Sequence, residues 1–260
     1  MFKILFLVFF FTLWSLDAKE PKIELGMGAF VLSYPSYIGS KTTHTLLGPY
    51  PHIRYHGDIL VADRDGLNGK FLSLDRLKLD FSFGGSLPST SEGSTTRDGM
   101  PDLELSGEAG LKLVYEVYTI QNHKIEVDFH TRAVISTDLS SVSYRGLVAN
   151  TSLKYTYNYE KFELILRTGL MSADKIYNNY FYGVKQEYVT ASRNYYEASS
   201  GYNGVRNSIG LSYQKNAWWF GAYISHFNIE GAVFVESPLV ETHDAVYMGT
   251  SFAYIFYTQN

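Results

Sequence analysis

Residues 102–118 read DLELSGEAGLKLVYEVY, and the alternation of apolar and polar side chains along them decides the fold. One face carries apolar or small side chains: Leu103, Leu105, Gly107, Ala109, Leu111, Leu113, Tyr115 and Val117. The other face carries Asp102, Glu104, Ser106, Glu108, Gly110, Lys112 and Glu116, with Val114 as the exception. A period of two indicates a strand whose faces meet different environments. The stretch is too long for a typical soluble strand, but a tilted membrane-barrel strand reaches this length.

Other segments repeat this alternation, and the connections between them distinguish a barrel from a soluble sandwich. Short turns are predicted near His56-Gly57-Asp58, Leu74-Asp75, Gln121-Asn122, Tyr159-Glu160 and Lys215-Asn216. Long polar stretches fall between them: Pro35–Leu46, Asp63–Lys70, Leu87–Pro101, Thr137–Gly146, Ser172–Tyr202 and Gly231–His243. Strict alternation of short and long connections is typical of outer-membrane barrels, with short periplasmic turns and long extracellular loops.

The sequence therefore predicts an all-β fold, a transmembrane antiparallel up-and-down barrel of about twelve strands. Ten strands is the alternative, because the third and fourth strands, near Ile59 and Phe71, have the weakest pattern. Phe252, Tyr254 and Phe256 share one face of a final strand and resemble the aromatic-ended strand that barrel-assembly machinery recognises. Aromatic clusters such as residues 218–220 lie where interfacial girdles are expected; core packing explains any one cluster equally well, and their repetition near turns favours girdles.

Composition excludes several classes of function. The chain has no cysteine, which rules out disulfides, thiolate metal sites and an acylated N-terminal cysteine. Charged residues make up only 18%, the net charge of −4 is scattered, and no basic patch for nucleic acid is present. Aromatic residues reach 16%, a level that suits a lipid-facing surface with aromatic girdles.

The N-terminus is interpreted as a targeting segment. Lys3 precedes an apolar run from Ile4 to Trp14, which has the length of a signal-peptide core. A membrane anchor helix needs around 20 apolar residues, and Asp17 ends the run too early. We therefore expect residues 1–18 to be a cleaved signal peptide, residues 19–260 to be the barrel domain, and the protein to reside in the outer membrane, in contact with its lipid.

Several stretches resemble the MipA/OmpV family, the MltA-interacting outer-membrane proteins. Residues 34–40 are similar to the family's Pro-x-Tyr-x-Gly-Ser signature, and Pro49, Pro51 and Tyr55 to its proline-spaced second strand. Further resemblances are Arg64-Asp65-Gly66-Leu67, the glutamate-glycine strand at Leu103, Glu104, Gly107 and Gly110, Gly231-Ala232, Glu236-Ser237-Pro238-Leu239-Val240 and Tyr254-Ile255-Phe256. Ala232-Val233 departs from the family, which commonly has an acidic residue there.

The resemblance implies an outer-membrane barrel. In the family's best-known member it also implies a scaffold that brings a lytic transglycosylase together with a bifunctional murein synthase. Other members are discussed as adhesins, immunogenic surface proteins or small-solute channels, so these functions stay as alternatives. Fold carries over more securely than function, because function belongs to sites.

Two sets of residues are candidate sites. The inward face is predicted to carry Lys78, Asp80, Glu104, Glu108, Lys112, Glu116, Glu126, Asp128, Arg132, Glu163, Arg167 and Arg206. These charges either pass a polar solute or pair with each other inside a narrow barrel, and the limited interior volume favours pairing. The second set is loop tyrosines, which either form a contact surface or pack a hairpin: Tyr177, Tyr180, Tyr182, Tyr188, Tyr195 and Tyr196.

We expect no catalytic site, metal site or cofactor. Thr242-His243-Asp244 lacks the second acidic pair that a protease of this kind needs, and His130 with Ser136 would need an ordered asparagine and a serine beside the histidine in space, which the sequence does not display. Of the seven histidines only His52 and His56 have His-x-x-x-His spacing, and on a strand this spacing puts the two side chains too far apart to share a metal ion.

Overall fold

A computed structural model describes residues 22–56, 60–63 and 66–259, and these form one closed antiparallel barrel. Its strands are β1 Lys22–Pro35, β2 Thr43–His56, β3 Leu60–Asp63, β4 Gly66–Leu74, β5 Leu77–Ser86, β6 Leu105–Ile120, β7 His123–Thr137, β8 Val142–Tyr159, β9 Phe162–Ala173, β10 Gly201–Lys215, β11 Trp218–Asn228 and β12 Asp244–Gln259. Each strand pairs with the next along the chain, and β12 pairs with β1. The described residues thus contain twelve strands, as predicted. The predicted signal peptide, residues 1–18, lies outside them.

The two faces of β6 differ in exposure as the alternation predicts. Leu105, Leu111 and Leu113 are exposed on the outside of the barrel, whereas Ser106 and Val114 on the opposite face are buried. Similar exposed apolar side chains on the other long strands complete an outer belt. An apolar belt on a closed barrel is the surface that lipid covers, so the barrel is transmembrane.

The connections define two ends, which we call the turn end and the loop end. Two-residue turns join the strands at residues 75–76, 121–122, 160–161 and 216–217. The first residue of each turn has a positive φ of 28–54°, as tight hairpins require. The fifth short turn predicted, at residues 56–58, falls largely outside the described residues. The opposite end carries loops 36–42, 87–104, 138–141, 174–200 and 229–243.

The prediction of a long loop over Asp63–Lys70 is wrong. Strands β3 and β4 form a hairpin in which Asp63 lies opposite Gly66. The predicted loops Pro35–Leu46 and Thr137–Gly146 are also shorter than expected, since β2 and β8 begin inside them. A barrel strand carries polar residues on its inner face, so polar composition alone does not distinguish a strand from a loop.

Three aromatic residues of β12 share one face, as predicted, and one aromatic residue of β11 points into the barrel. Phe252, Tyr254 and Phe256 are exposed on the outer face of β12. Trp218 is exposed as well, but Trp219 points inward and is buried, stacking on Tyr50 with ring centroids 5.4 Å apart. Trp219 is therefore a core residue, because adjacent strand residues point to opposite faces.

The 174–200 loop contains helix α1, Lys175–Tyr182, and a 3₁₀ turn, Gln186–Tyr188. No helix in the described part of the chain is long and apolar enough to cross a membrane. Leu103, which the alternation placed on the apolar face of the same strand as Leu105, precedes β6 and is buried at the loop end.

The face assignment of β6 predicts different outcomes for two adjacent substitutions. Leu111→Arg puts a charge on the lipid face, which costs about 2–4 kcal/mol near the bilayer midplane. Lys112→Leu changes the charge by one unit on the inner face and should reduce folding far less. Heat-modifiable gel migration measures the folded fraction of each variant. A much lower folded fraction for Lys112→Leu than for Leu111→Arg would mean that the two faces are exchanged.

Candidate functional site

Four loops pack together at the loop end into a structure that we call the loop cap: loops 36–42, 87–104, 174–200 and 229–243. Buried side chains from all four form one hydrophobic cluster, which consists of Tyr37, Leu103, Phe181, Tyr182, Ala198, Ile229, Ala232 and Phe234. A cluster of this kind fixes loops that would otherwise be mobile, because opening it exposes apolar surface to water.

Tyr182 lies at the centre of the loop cap. Its ring stacks on Phe234 with centroids 3.6 Å apart and an angle of 4° between the planes. Its hydroxyl donates to the carbonyl of Ile38 at 2.9 Å, and the Ser237 hydroxyl donates to the Tyr182 carbonyl at 2.7 Å. Burial raises the pKa of the Tyr182 hydroxyl well above its usual value, so it stays a neutral donor.

Two buried arginines join loop 87–104 to loop 174–200. Arg97 donates to the carbonyl of Phe181 at 2.9 Å and to that of Pro101 at 3.1 Å. Burial lowers the pKa of the Arg97 guanidinium from its usual value. Arg193 donates to the carbonyls of Thr96 and Asp98 at 2.7 and 3.0 Å. Since each arginine satisfies carbonyls that have no strand partner, both brace irregular backbone.

Helix α1 rests directly on β8. Asp174 is its N-cap, and the carboxylate accepts from the backbone N–H of Tyr177 at 2.8 Å. The helix start lies against Gly146, which has a φ of +106°. A Cβ at this glycine would come within 2.5 Å of the Tyr177 nitrogen. Gly146 thus permits both the left-handed backbone and the close approach of α1.

The candidate tyrosines are mostly parts of the loop cap. Tyr182 is buried in the hydrophobic cluster, and Tyr177, Tyr180 and Tyr196 pack against it. The other two differ: Tyr188 is half-buried and Tyr195 is 56% exposed. Four of the six tyrosines therefore pack the loop cap, and Tyr195 is available at the surface for contact with a partner.

Eleven of the twelve candidate charged residues lie on strands and on the enclosed face of the barrel. They are Lys78 and Asp80 on β5, Glu108, Lys112 and Glu116 on β6, Glu126, Asp128 and Arg132 on β7, Glu163 and Arg167 on β9, and Arg206 on β10. Glu104 precedes β6. The barrel thus brings them into one interior.

Several of these inward charges have oppositely charged neighbours on the enclosed face. Arg132 lies 3.0 Å from Glu108, and Glu126 lies 2.6 Å from Lys124. Asp80 and Lys112 face each other across β5 and β6. Opposite charges enclosed together offset the cost of removing each from water.

Asp128 and Glu116 also have partners on the enclosed face. Asp128 accepts a hydrogen bond from the Ser152 hydroxyl at 2.6 Å. Glu116 lies 3.8 Å from Lys124, which it shares with Glu126.

Glu104 belongs to a polar contact that joins the loop cap to the barrel. It accepts hydrogen bonds from the Ser136 hydroxyl and from Arg145, the latter at 3.1 Å. The Arg145 guanidinium also lies 4.4 Å from the ring centroid of Tyr180. Sequence reasoning missed Arg145 because it fell in a predicted loop. Gly146, which follows Arg145 and has a positive φ, marks a β-bulge in β8. This bulge turns the Arg145 side chain inward.

The residues considered for catalysis have separate partners. His243 contacts Glu230 at 2.8 Å, whereas Asp244 contacts His226 at 2.8 Å, all four exposed. The described residues contain no group of three or more His, Asp or Glu side chains that could hold a metal ion.

His130 and Ser136 lie in different contacts on the enclosed face of β7. His130 contacts Asp128 at 3.4 Å and Asn150 at 3.0 Å, while Ser136 donates to Glu104. The two side chains therefore do not share a hydrogen bond.

Comparison with known sequences gives one family and one curated relative. Residues 25–256 match the family described as MltA-interacting protein MipA. Outer membrane protein Omp26La of Vibrio anguillarum is 24% identical over 206 residues, which cover 78% of this chain and 76% of the relative.

Solved structures with similar folds have diverse functions. The NanC porin has a TM-score of 0.38 at 11% identity, covering 90% of this chain and 98% of NanC. The Pseudomonas putida toluene transporter TodX has a TM-score of 0.35 at 9% identity, covering 92% and 90% of the two chains. The outer membrane protease OmpT of Escherichia coli has a TM-score of 0.32 at 8% identity, covering 94% and 99%. A likeness this weak assigns none of these activities to the chain.

The contacts of Arg97 predict that its removal opens the loop cap. Hydrogen bonds from a charged donor are each worth roughly 1.5–3 kcal/mol, so Arg97→Ala should release loop 174–200. Proteinase K added to whole cells should then cut within residues 185–195 at least tenfold faster than in the unmodified protein. Glu92→Ala, an exposed position in the same loop as Arg97, is the control and should leave the rate unchanged. Equal rates for both variants would show that Arg97 does not hold the cap closed.

Proposed function

Because the chain belongs to the family described as MltA-interacting protein MipA, we propose that it is a non-enzymatic scaffold that holds murein-remodelling enzymes at the outer membrane. The barrel itself resides in the cell outer membrane, with the turn end toward the periplasm. The proposed partners are a lytic transglycosylase and a murein synthase, which act on the cell wall in the periplasm. The family description supports this proposal, and it concerns the whole barrel since the match covers residues 25–256.

One structural observation favours an interaction protein over a wide pore. The loop cap is a packed cluster, and many inward charges contact each other within 4 Å. Side chains that are engaged inside the molecule are not available to select or move a solute. These engaged interior groups favour a function at the two ends of the barrel, where the turns and the loop cap lie.

The turn end is the surface that a periplasmic enzyme would meet. Its two-residue turns are tight, and they expose charges of both signs, including Asp75, Arg76, Glu160 and Lys161. Two-residue turns have few residues to order when a partner binds, which lowers the entropic cost of binding. Mixed charges of this kind steer and orient a partner more than they add affinity.

A second candidate function is a channel for small solutes. The observation that favours it is Arg206, which lies on the enclosed face and is nevertheless exposed to solvent. Water therefore reaches at least part of the interior. Planar-bilayer recording separates the two functions, since stable conducting steps from purified protein support the channel, while capture of murein enzymes without conductance supports the scaffold.

Charge reversal at the turn end tests the scaffold proposal directly. The double variant Arg76→Glu with Lys161→Glu should weaken capture of a purified lytic transglycosylase roughly tenfold, which is about 1.4 kcal/mol. The control is Lys175→Glu with Lys185→Glu, which makes the same change in net charge at the loop end. Surface plasmon resonance on the folded barrel gives both affinities. Equal affinities for the two double variants, or no capture by the unmodified barrel, would contradict the proposal.

A further inference from the structure

Arg206 differs from Arg54, Arg132 and Arg145, which also face inward, in having no acidic partner among the described residues. Among the described residues no carboxylate lies within 4.0 Å of its guanidinium. Its guanidinium donates a hydrogen bond to the Ser225 hydroxyl at 3.3 Å and lies 5.3 Å from the centroid of the Phe227 ring. Arginine has five N–H donors, so most of them face solvent inside the barrel.

Two charges of the same sign act on Arg206. Arg167 and Arg132 are both close enough to repel its guanidinium, and Arg132 is held there by Glu108 at 3.0 Å. The neighbour across the strand on β9 is Gly169, which offers no side chain. A guanidinium enclosed beside like charges is costly unless an anion offsets it.

Two tyrosines on the adjoining strands face the same space. Tyr223 on β11 is 43% exposed, and Tyr247 on β12 is half-buried, with both within electrostatic reach of Arg206. Neither hydroxyl has a hydrogen-bond partner among the described residues. These two hydroxyls are available as hydrogen-bond donors.

The ring of Phe227 closes one side of this space. It contacts the Tyr247 ring with centroids 5.1 Å apart, and it lies directly opposite Arg206 in the strand register. We call the space bounded by Arg206, Tyr223, Ser225, Phe227 and Tyr247 the arginine chamber. It combines one uncompensated cation, hydroxyl donors and an aromatic wall.

We propose that the arginine chamber binds a small organic anion through its carboxylate. The planar guanidinium presents two parallel N–H groups that match the two oxygens of a carboxylate. The tyrosine hydroxyls supply further donors, and the aromatic rings accept the apolar part of the ligand. The binding site goes beyond the scaffold function and does not depend on it.

Calorimetry on the full-length folded barrel tests this site with benzoate, and with benzamide as the uncharged analogue. Benzoate should bind saturably and at least tenfold more tightly than benzamide. Arg206→Gln should weaken benzoate binding at least tenfold. The matched control is Arg54→Gln, because Arg54 also faces inward but lies near the turn end and is paired with Glu24 at 3.1 Å. It should change the affinity by less than twofold.

Two further variants keep the test decisive if Arg206→Gln fails to fold on heat-modifiable gels. Arg206→Lys retains the charge but loses the paired N–H groups, and should bind benzoate at least threefold more weakly. Tyr223→Phe removes one hydroxyl and should also weaken binding. Absence of saturable benzoate binding, equal affinity for benzamide, or equal losses in Arg206→Gln and Arg54→Gln would overturn the proposal.

Discussion

A hydrocarbon layer offers no water to backbone N–H and C=O groups, so every such group that crosses it must bond within the protein. Pairing of β1 with β12 answers this requirement at the seam, because it joins the first strand of the sheet to the last. The pairing runs from Ile23 opposite Gln259 to Ser33 opposite Met248. It depends on small residues at the seam, since a Cβ at Gly28 would lie 2.6 Å from the Cα of Ala253.

Closure also determines where charges can lie. Once the outer face meets lipid, charged side chains on a strand must face the enclosed interior, and there they need partners. Pairs such as Arg132 with Glu108 meet that need, while Arg206 with its like-charged neighbours leaves a positive site open. The loop cap and the arginine chamber both follow from the closed sheet. The long loops lie together at the loop end, and the charged and polar side chains of the strands lie inside the barrel.

The sequence predicted the strands better than the connections, for a physical reason. A strand between lipid and a polar interior alternates strongly, which is why β6 and its outer leucines were predicted correctly. The hairpin of β3 and β4 was missed because its polar residues resemble a loop.

The loop cap could not be predicted at all, since Arg97 binds the carbonyl of Phe181 across 84 positions of the chain. The exceptional position of Arg206 likewise depends on which side chains the other strands place around it. Local alternation contains no information about either contact.

The central claim, that alternate residues of β6 face lipid and the interior, is tested most directly by spin labelling. The chain contains no cysteine, so single cysteines at positions 105–117 can each be labelled without background. In bilayers, labels at odd positions should be accessible to oxygen dissolved in lipid, and labels at even positions should not. A period of two in the ratio of oxygen to polar-reagent accessibility is the predicted result. Uniform polar accessibility, or protection of the odd positions from both reagents as in a soluble core, would contradict the account.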